Sequence, residues 1–295
     1  MTNTGVAAGT FRPESTREFF GLESKWLSIG DERIHYHDEG SGTPVVLLHG
    51  SAIGVSAAAN WWRVIPRMAV SARVLAPDMG GYGWTSVPDE SYYGLPAWTE
   101  QVVRFLDALD IPKAVLVGNS LGGRIATQVA VDHPDRVTGL VTMGSPGIEY
   151  QPTQTLRANT APAITPEGIA RVMATLAADG YKIPDGLVEF RYAMVSRPGG
   201  PEQWRTVVRV RDESVAASRL TAEQLASVTV PALILHGKQD KVVRVTDSFG
   251  TAQALPNADL MLFANCGHWV QLERESEFLT AVDGLLRRVS SEDGR

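Results

Sequence analysis

The 295-residue chain has one cysteine, Cys266, which excludes an internal disulfide framework and any cysteine-based metal cluster. It has no surplus of positive charge either: 27 Lys and Arg against 33 Asp and Glu give a net charge of −6. Phosphate binding needs clustered cations, and no Lys/Arg cluster is present, which argues against nucleic acid as the main partner. No apolar run reaches the roughly 18–20 residues of a membrane span. The first twenty residues, MTNTGVAAGTFRPESTREFF, lack the apolar core of a secretory signal. No Gly-rich dinucleotide fingerprint follows the first buried strand, so a nicotinamide or flavin role has no support. These absences lead to the expectation of a cytoplasmic protein. Hydrophobic residues at 44% and charged residues at 20% suit one large globular domain, or a domain carrying an insertion.

Hydrophobic patterning supplies the architecture. Lys25–Ile29 and Arg33–Asp38 read as strands joined by a tight turn at Gly30-Asp31. Continuous apolar runs at Pro44–Leu48, Arg73–Ala76, Ala114–Val117 and Val137–Met143 read as strands buried on both faces. Helices are expected from about Ala97 to Leu109 and over Leu121–Asp132. From about Gly147 to Ala226 no buried-strand run occurs, only amphipathic helical stretches punctuated by Pro and Gly. The alternation resumes with strand Pro231–Leu235, helix Val245–Ala254, strand Asp259–Phe263 and one final helix from Val270 to about Arg288. Strands alternating with helices predict an α/β fold with a mostly parallel, doubly wound sheet. The core is expected from residues 1–146 and 227–295. Residues 147–226 are expected to form a helical lid inserted between late strands, over the carboxyl edge of the sheet.

The chemistry concentrates at that edge. Gly118-Asn119-Ser120-Leu121-Gly122 lies between a buried strand and a helix. A Gly-x-Ser-x-Gly turn there holds the serine in a strained conformation and exposes its hydroxyl above the sheet. A serine hydroxyl is a weak nucleophile and needs a base that is itself held by a third group. Asp240 follows the strand ending at Leu235, and His268 follows the next strand, in the order Ser, acid, His. Asp247 is a weaker rival acid because it falls inside a helix. His49-Gly50-Ser51 follows the strand Val45–Leu48. The N–H groups of Ser51 and Leu121 are the expected oxyanion donors, each typically worth roughly 3 kcal/mol in the transition state. His35 and His37 alternate on one strand without a further ligand, so no metal is expected. His236 and His133 read as strand-end and helix-end histidines. Cys266 is not expected to act, because the elbow holds serine. Trp61 and Trp62 are expected to pack a helix.

With these residues in place, the sequence resembles the α/β-hydrolases from about Lys25 to Leu285. Within them it is most similar to the meta-cleavage product hydrolases, serine-type enzymes that cleave a carbon–carbon bond in the ring-fission products of catechols. The likeness is carried by His49-Gly-Ser51 with Asn60-Trp61, Ala76-Pro-Asp-Met79 with Gly81-Tyr-Gly83, and Gly118-Asn-Ser-Leu-Gly-Gly123. Leu187-Val-Glu-Phe-Arg-Tyr192, Arg197-Pro-Gly199, Pro231–Asp240 and Cys266-Gly-His-Trp269 add to it. The resemblance implies that Asn119 and Arg191 contact the dienol or keto-acid end of a small acidic dienone, with Gly50 lining the site. It further implies that Asn60 positions the carboxylate and that Trp269 packs beside the base. A homodimer or larger assembly and the absence of any cofactor are also implied.

Three departures stand out. Ala52-Ile53-Gly54 replaces the usual Gly-Pro-Gly, Tyr82 replaces a commoner phenylalanine, and Arg124 stands where a smaller residue is usual. An ester, lactone or thioester hydrolase with the same triad, and a small-molecule receptor of the same fold, remain alternatives. So do attack by Ser120 and attack by activated water.

Overall fold

Alternation along single strands decides which core each side chain joins. In β3 (Pro44–Leu48), Val46 and Leu48 pack on one face of the sheet with Ile34, Leu75 and Leu116. Val45 and Leu47 pack on the other face with Val74, Val115 and Val141. A strand buried on both faces can thus be apolar at every position. The computed structural model describes residues 11–148 and 150–292. Residues 1–10, 149 and 293–295, which the expected core and lid ranges include, lie outside the described residues.

The other strands are β1 (Lys25–Ile29), β2 (Glu32–Gly40), β4 (Arg73–Pro77), β5 (Ala114–Asn119), β6 (Val137–Met143), β7 (Ala232–Gly237) and β8 (Ala258–Phe263). They form one eight-stranded sheet in the order β1-β2-β4-β3-β5-β6-β7-β8. The pairs β1–β2 and β2–β4 are antiparallel, and all others are parallel. This is the mostly parallel α/β sheet that the patterning predicts, in the α/β-hydrolase arrangement that the resemblance implies. Helices Leu95–Ala108 and Leu121–Asp132 bury Trp98, Val102, Leu106, Ile125 and Val129 on one face. Helices Ala57–Trp61 and Glu275–Glu292 bury Trp61, Phe278, Val282 and Leu285 on the other. Each such side chain withdrawn from water contributes about 1.5–3 kcal/mol.

Between β6 and β7 the chain forms five helices among the described residues: Gln154–Ala158, Pro166–Leu176, Leu187–Val195, Gly200–Ala217 and Ala222–Ala226. Ile169, Met173, Phe190 and Val207 from this segment join the same core as Leu48 and Leu116. Among the described residues, no helix is long and apolar enough to cross a membrane.

One expectation is corrected. The single helix expected from Val270 is two, Val270–Glu273 and Glu275–Glu292, broken at Arg274 with φ −131° and ψ 46°. The Glu273 carboxylate turns back to accept from the N–H groups of Ala178, Gly267 and Trp269, while Arg274 donates to the Ala264 carbonyl. These tertiary bonds offset the lost helical turn. No Pro or Gly marks the break in the sequence.

Candidate active site

Parallel strands deliver the chemistry to one edge, because the loops after β3, β5, β7 and β8 all leave from their carboxyl ends. Ser120 follows β5 with φ 55° and ψ −116°, a region costing of order 1–3 kcal/mol for a non-glycine residue. The Met143 carbonyl accepts from its N–H at 2.8 Å, and the next residue opens the twelve-residue helix Leu121–Asp132. The hydroxyl is thereby set at the positive end of a helix dipole.

His268 Nδ1 lies 2.7 Å from Asp240 Oδ2, and both side chains are buried. A carboxylate at that distance makes Nδ1 the donor and leaves Nε2 free as a base. The other Asp240 oxygen accepts from the N–H groups of Val242 and Val243 at 2.7 and 3.0 Å. Burial alone would raise the Asp240 pKa. The charge and hydrogen bond of His268 outweigh it and hold the carboxyl below its usual range. His268 N–H donates to the Leu176 carbonyl at 2.7 Å, tying the base to the helical segment. Ser120 and His268 line the same narrow slot. Asp247 sits instead on helix Val245–Ala254, 3.6 Å from Arg244.

The slot has about 30 Å³ of free volume and is also lined by Gly50, Ser51, Asn60, Asn119, Arg191 and Trp269. All five expected substrate contacts therefore meet there. Leu121 is not among the slot's lining residues but lines an adjoining chamber together with Ser120. Arg191 is 1% exposed, and neither Nε nor Nη1 has a hydrogen-bond partner. Burial pulls its pKa down to about 10, so it stays a cation at neutral pH. Its guanidinium carbon lies 5.3 Å from the Trp269 ring centroid, a cation–π distance. Asn60 Nδ2 and Asn119 Oδ1 are likewise buried without partners. Asn119 Nδ2 donates to the His268 carbonyl at 3.2 Å.

One residue of the slot, Arg211, has no motif to announce it. Ser51 Oγ accepts from Arg211 Nη1 at 2.7 Å and shares a hydrogen bond with the Tyr82 hydroxyl at 2.6 Å. Tyr82 thus uses the hydroxyl that phenylalanine lacks to hold the Ser51 turn. The turn is braced from below by His49, whose Nε2 accepts from Met79 N–H and whose Nδ1 donates to the Gly50 carbonyl. Arg211 stands on a charged amphipathic helix, where an arginine ordinarily reads as solvated.

The remaining histidines and the cysteine serve structure. His35 bonds Asp78 at 2.8 Å and Ser24 at 2.9 Å, and His37 donates to the Glu23 carbonyl at 2.6 Å. His236 bonds Ser248 and Val243, and His133 pairs with Glu100. Cys266 is fully buried, and burial pushes its thiol pKa up, which leaves it un-ionised. Among the described residues no group of His, Cys, Asp and Glu is arranged to hold a metal ion.

This fold, with serine on a strained elbow and a buried His–Asp pair at the same edge, defines the serine-hydrolase class of α/β proteins. Residues 43–275 match the family described as alpha/beta hydrolase fold. The chain is 36% identical over 263 residues to a 2-hydroxy-6-oxo-2,4-heptadienoate hydrolase of Pseudomonas putida, covering 89% of this chain and 95% of that one. It is also 36% identical to a 2-hydroxymuconate semialdehyde hydrolase of Pseudomonas sp. strain CF600, covering 86% and 90%. A meta-cleavage product hydrolase from Pseudomonas fluorescens IP01, solved with bound acetates, superposes with a TM-score of 0.82 at 32% identity, over 90% of this chain and 98% of that one. The chain belongs to the alpha/beta hydrolase family, and within it to the meta-cleavage product hydrolases.

Proposed function

We propose that the protein hydrolyses the C5–C6 bond of a 2-hydroxy-6-oxo-hexa-2,4-dienoate-type ring-fission product, giving a carboxylic acid and 2-hydroxypenta-2,4-dienoate. The observation that carries this reading is Arg191: a buried guanidinium with two unpaired donor groups in the slot that Ser120 and His268 line. A buried cation without a counter-ion is costly, and an entering carboxylate supplies both the charge and the acceptors. An ester hydrolase for neutral substrates has no use for that cation.

In this reading Arg191 and Asn60 hold the C1 carboxylate and Asn119 faces the 2-hydroxyl. Trp269 backs the guanidinium. His268, oriented by Asp240, shifts a proton so that the dienol becomes a ketone, with an electron sink reaching C5. An oxygen nucleophile then adds to C6, and the N–H groups of Ser51 and Leu121 receive the oxyanion. Collapse breaks C5–C6: C6 keeps the new oxygen, the electron pair runs from C5 back to the C2 oxygen, and that oxygen takes a proton, which restores the dienol of 2-hydroxypenta-2,4-dienoate. Every step uses protein groups and water, so no metal or organic cofactor is required.

Residues 147–226 serve as a lid in this scheme, since Arg191, Leu156, Val172 and Leu176 from that segment close the slot. The same reading places the enzyme in the cytoplasm as a homodimer or larger assembly, and the molar mass from sedimentation equilibrium would check the assembly. The decisive experiment follows loss of the visible chromophore of 2-hydroxy-6-oxohepta-2,4-dienoate, with p-nitrophenyl acetate as control. Bleaching that Ser120→Ala loses is expected. Brisk ester cleavage without bleaching overturns the assignment and leaves a serine esterase.

A further inference from the structure

Ser51, Ser120 and Arg211 line both the narrow slot and a wider chamber of about 290 Å³. A carbonyl held at Ser120 therefore has the slot on one side and the chamber on the other. Under the carbon–carbon hydrolase reading, on which this inference rests, the dienoate fills the slot and the acyl substituent fills the chamber.

A chamber for a phenyl or alkyl group needs only apolar walls. This one has apolar walls, including Leu121, Ile148, Val215 and Leu220, but also four arginines against one aspartate. Arg211 is bound by that aspartate, Asp212, at 2.7 Å, and Arg157 and Arg219 are exposed. Arg124 differs from all three. It stands four residues after Ser120 on helix Leu121–Asp132 and is 2% exposed. Its Nη2 donates to the Ser218 carbonyl, and its Nη1 is buried without a hydrogen-bond partner. Burial pulls its pKa to about 10, opposed only by the charge of Asp132, so it remains a cation at neutral pH. A buried cation beside an apolar chamber repeats, on the acyl side, the arrangement of Arg191 on the dienoate side.

We infer that the acyl group carries its own carboxylate, so that the substrate is a 2-hydroxy-6-oxo-dienedioate whose far carboxylate binds Arg124. The apolar walls take the intervening methylenes. Hydrolysis breaks C5–C6, C6 gains the hydroxyl of water and C5 a proton, and the products are a dicarboxylic acid and 2-hydroxypenta-2,4-dienoate. Arg124 is then a specificity residue of the enzyme.

The test compares kcat/KM for 2-hydroxy-6-oxonona-2,4-diene-1,9-dioate and for 2-hydroxy-6-oxonona-2,4-dienoate, which lacks only the far carboxylate. The native enzyme is expected to prefer the dioate by about tenfold or more, the scale of one hydrogen bond between charged groups. Arg124→Gln should collapse the ratio towards unity, and Arg124→Lys should restore part of it. A native ratio at or below unity overturns the inference. So does an Arg124→Gln variant that loses both substrates equally, because Arg124 would then only tie its helix to the Ser218 carbonyl. Inhibition of p-nitrophenyl acetate cleavage needs no variant and no dienone: succinate should inhibit about tenfold more tightly than butyrate. Equal inhibition overturns the inference. Failure to bleach either dienone would strike the carbon–carbon reading itself, whereas bleaching of both without preference strikes only the second carboxylate.

Discussion

Gly54 lies against the backbone of Arg191 so closely that an added Cβ would collide with the Arg191 carbonyl oxygen, and its φ of +67° strains any other residue. The loop beside the oxyanion turn therefore sets the position of the helix that carries the slot's guanidinium. This explains why Gly54 survives where Ala52 and Ile53 replace their usual counterparts. Ile53 is buried in the core, and Ala52 lines the slot. Gly54→Ala should displace Arg191 and lower kcat/KM for acidic dienones by about 100-fold, the scale of a 1 Å misplacement. Cleavage of p-nitrophenyl acetate should fall far less. Equal losses on both substrates would show that the loop supports the nucleophile rather than the guanidinium.

The eight strands and the elbow were legible in the sequence because each rests on a local rule. Apolar runs bounded by turns gave β3, β5 and β6 almost to the residue, and order along the chain paired Asp240 with His268. What stayed hidden depends on contacts between distant segments. The break at Arg274 follows from Glu273 capping three remote N–H groups. The Arg211–Ser51–Tyr82 chain joins residues up to 160 positions apart, and no periodicity reports such a bond. Gly144, directly after β6, belongs to no motif, yet it packs on the His268–Asp240 pair.

A Cβ at Gly144 would come 2.8 Å from His268 Nδ1 and 3.0 Å from Asp240 Oδ2, with φ at +54°. Gly144→Ala should thus push apart the two groups that define the base. Asp240→Asn offers the cleaner comparison, since it keeps the shape and removes the acceptor that fixes the His268 tautomer. It should lower kcat by about 10⁴-fold, as loss of the orienting carboxylate does in a serine triad. Gly144→Ala should lie between native and Asp240→Asn. An Asp240→Asn enzyme within about tenfold of native kcat would remove Asp240 from the role given to it here.

Stability should depend on His37. Burial, reinforced by the charge of His35, lowers its pKa to about 4 from the 6.5 of an unfolded histidine. The folded protein holds it neutral where the unfolded chain binds a proton, so stability falls as pH drops from about 6.5 towards 4. The linkage amounts to roughly 3 kcal/mol across that window. Asp78 acts lower: burial would raise its pKa, but the charge and hydrogen bond of His35 bring it to about 2. Its contribution is lost only as pH falls below about 4. Urea midpoints between pH 7 and 4.5 should show the fall, and His37→Gln should flatten it. An unchanged slope in His37→Gln would assign the acid sensitivity to another group.

Arg191 should set stability against activity. Its guanidinium is 1% exposed with Nε and Nη1 unpaired, and burial alone accounts for its lowered pKa. Without a bound anion, the folded protein bears the cost of desolvating a charge. Arg191→Met keeps the length and apolar bulk and discards that charge, so the unliganded variant should gain about 1 kcal/mol or more in urea unfolding. The same change should lower kcat/KM for the acidic dienone by about 100-fold or more, since it removes a charge-assisted contact to the carboxylate. It should spare p-nitrophenyl acetate, which presents no carboxylate to the slot. Substrate analogues bearing the carboxylate should raise the melting temperature of the native enzyme and leave that of Arg191→Met unmoved. A variant that is less stable than native yet still turns over the dienone would mean that Arg191 is structural, and that the carboxylate is bound elsewhere.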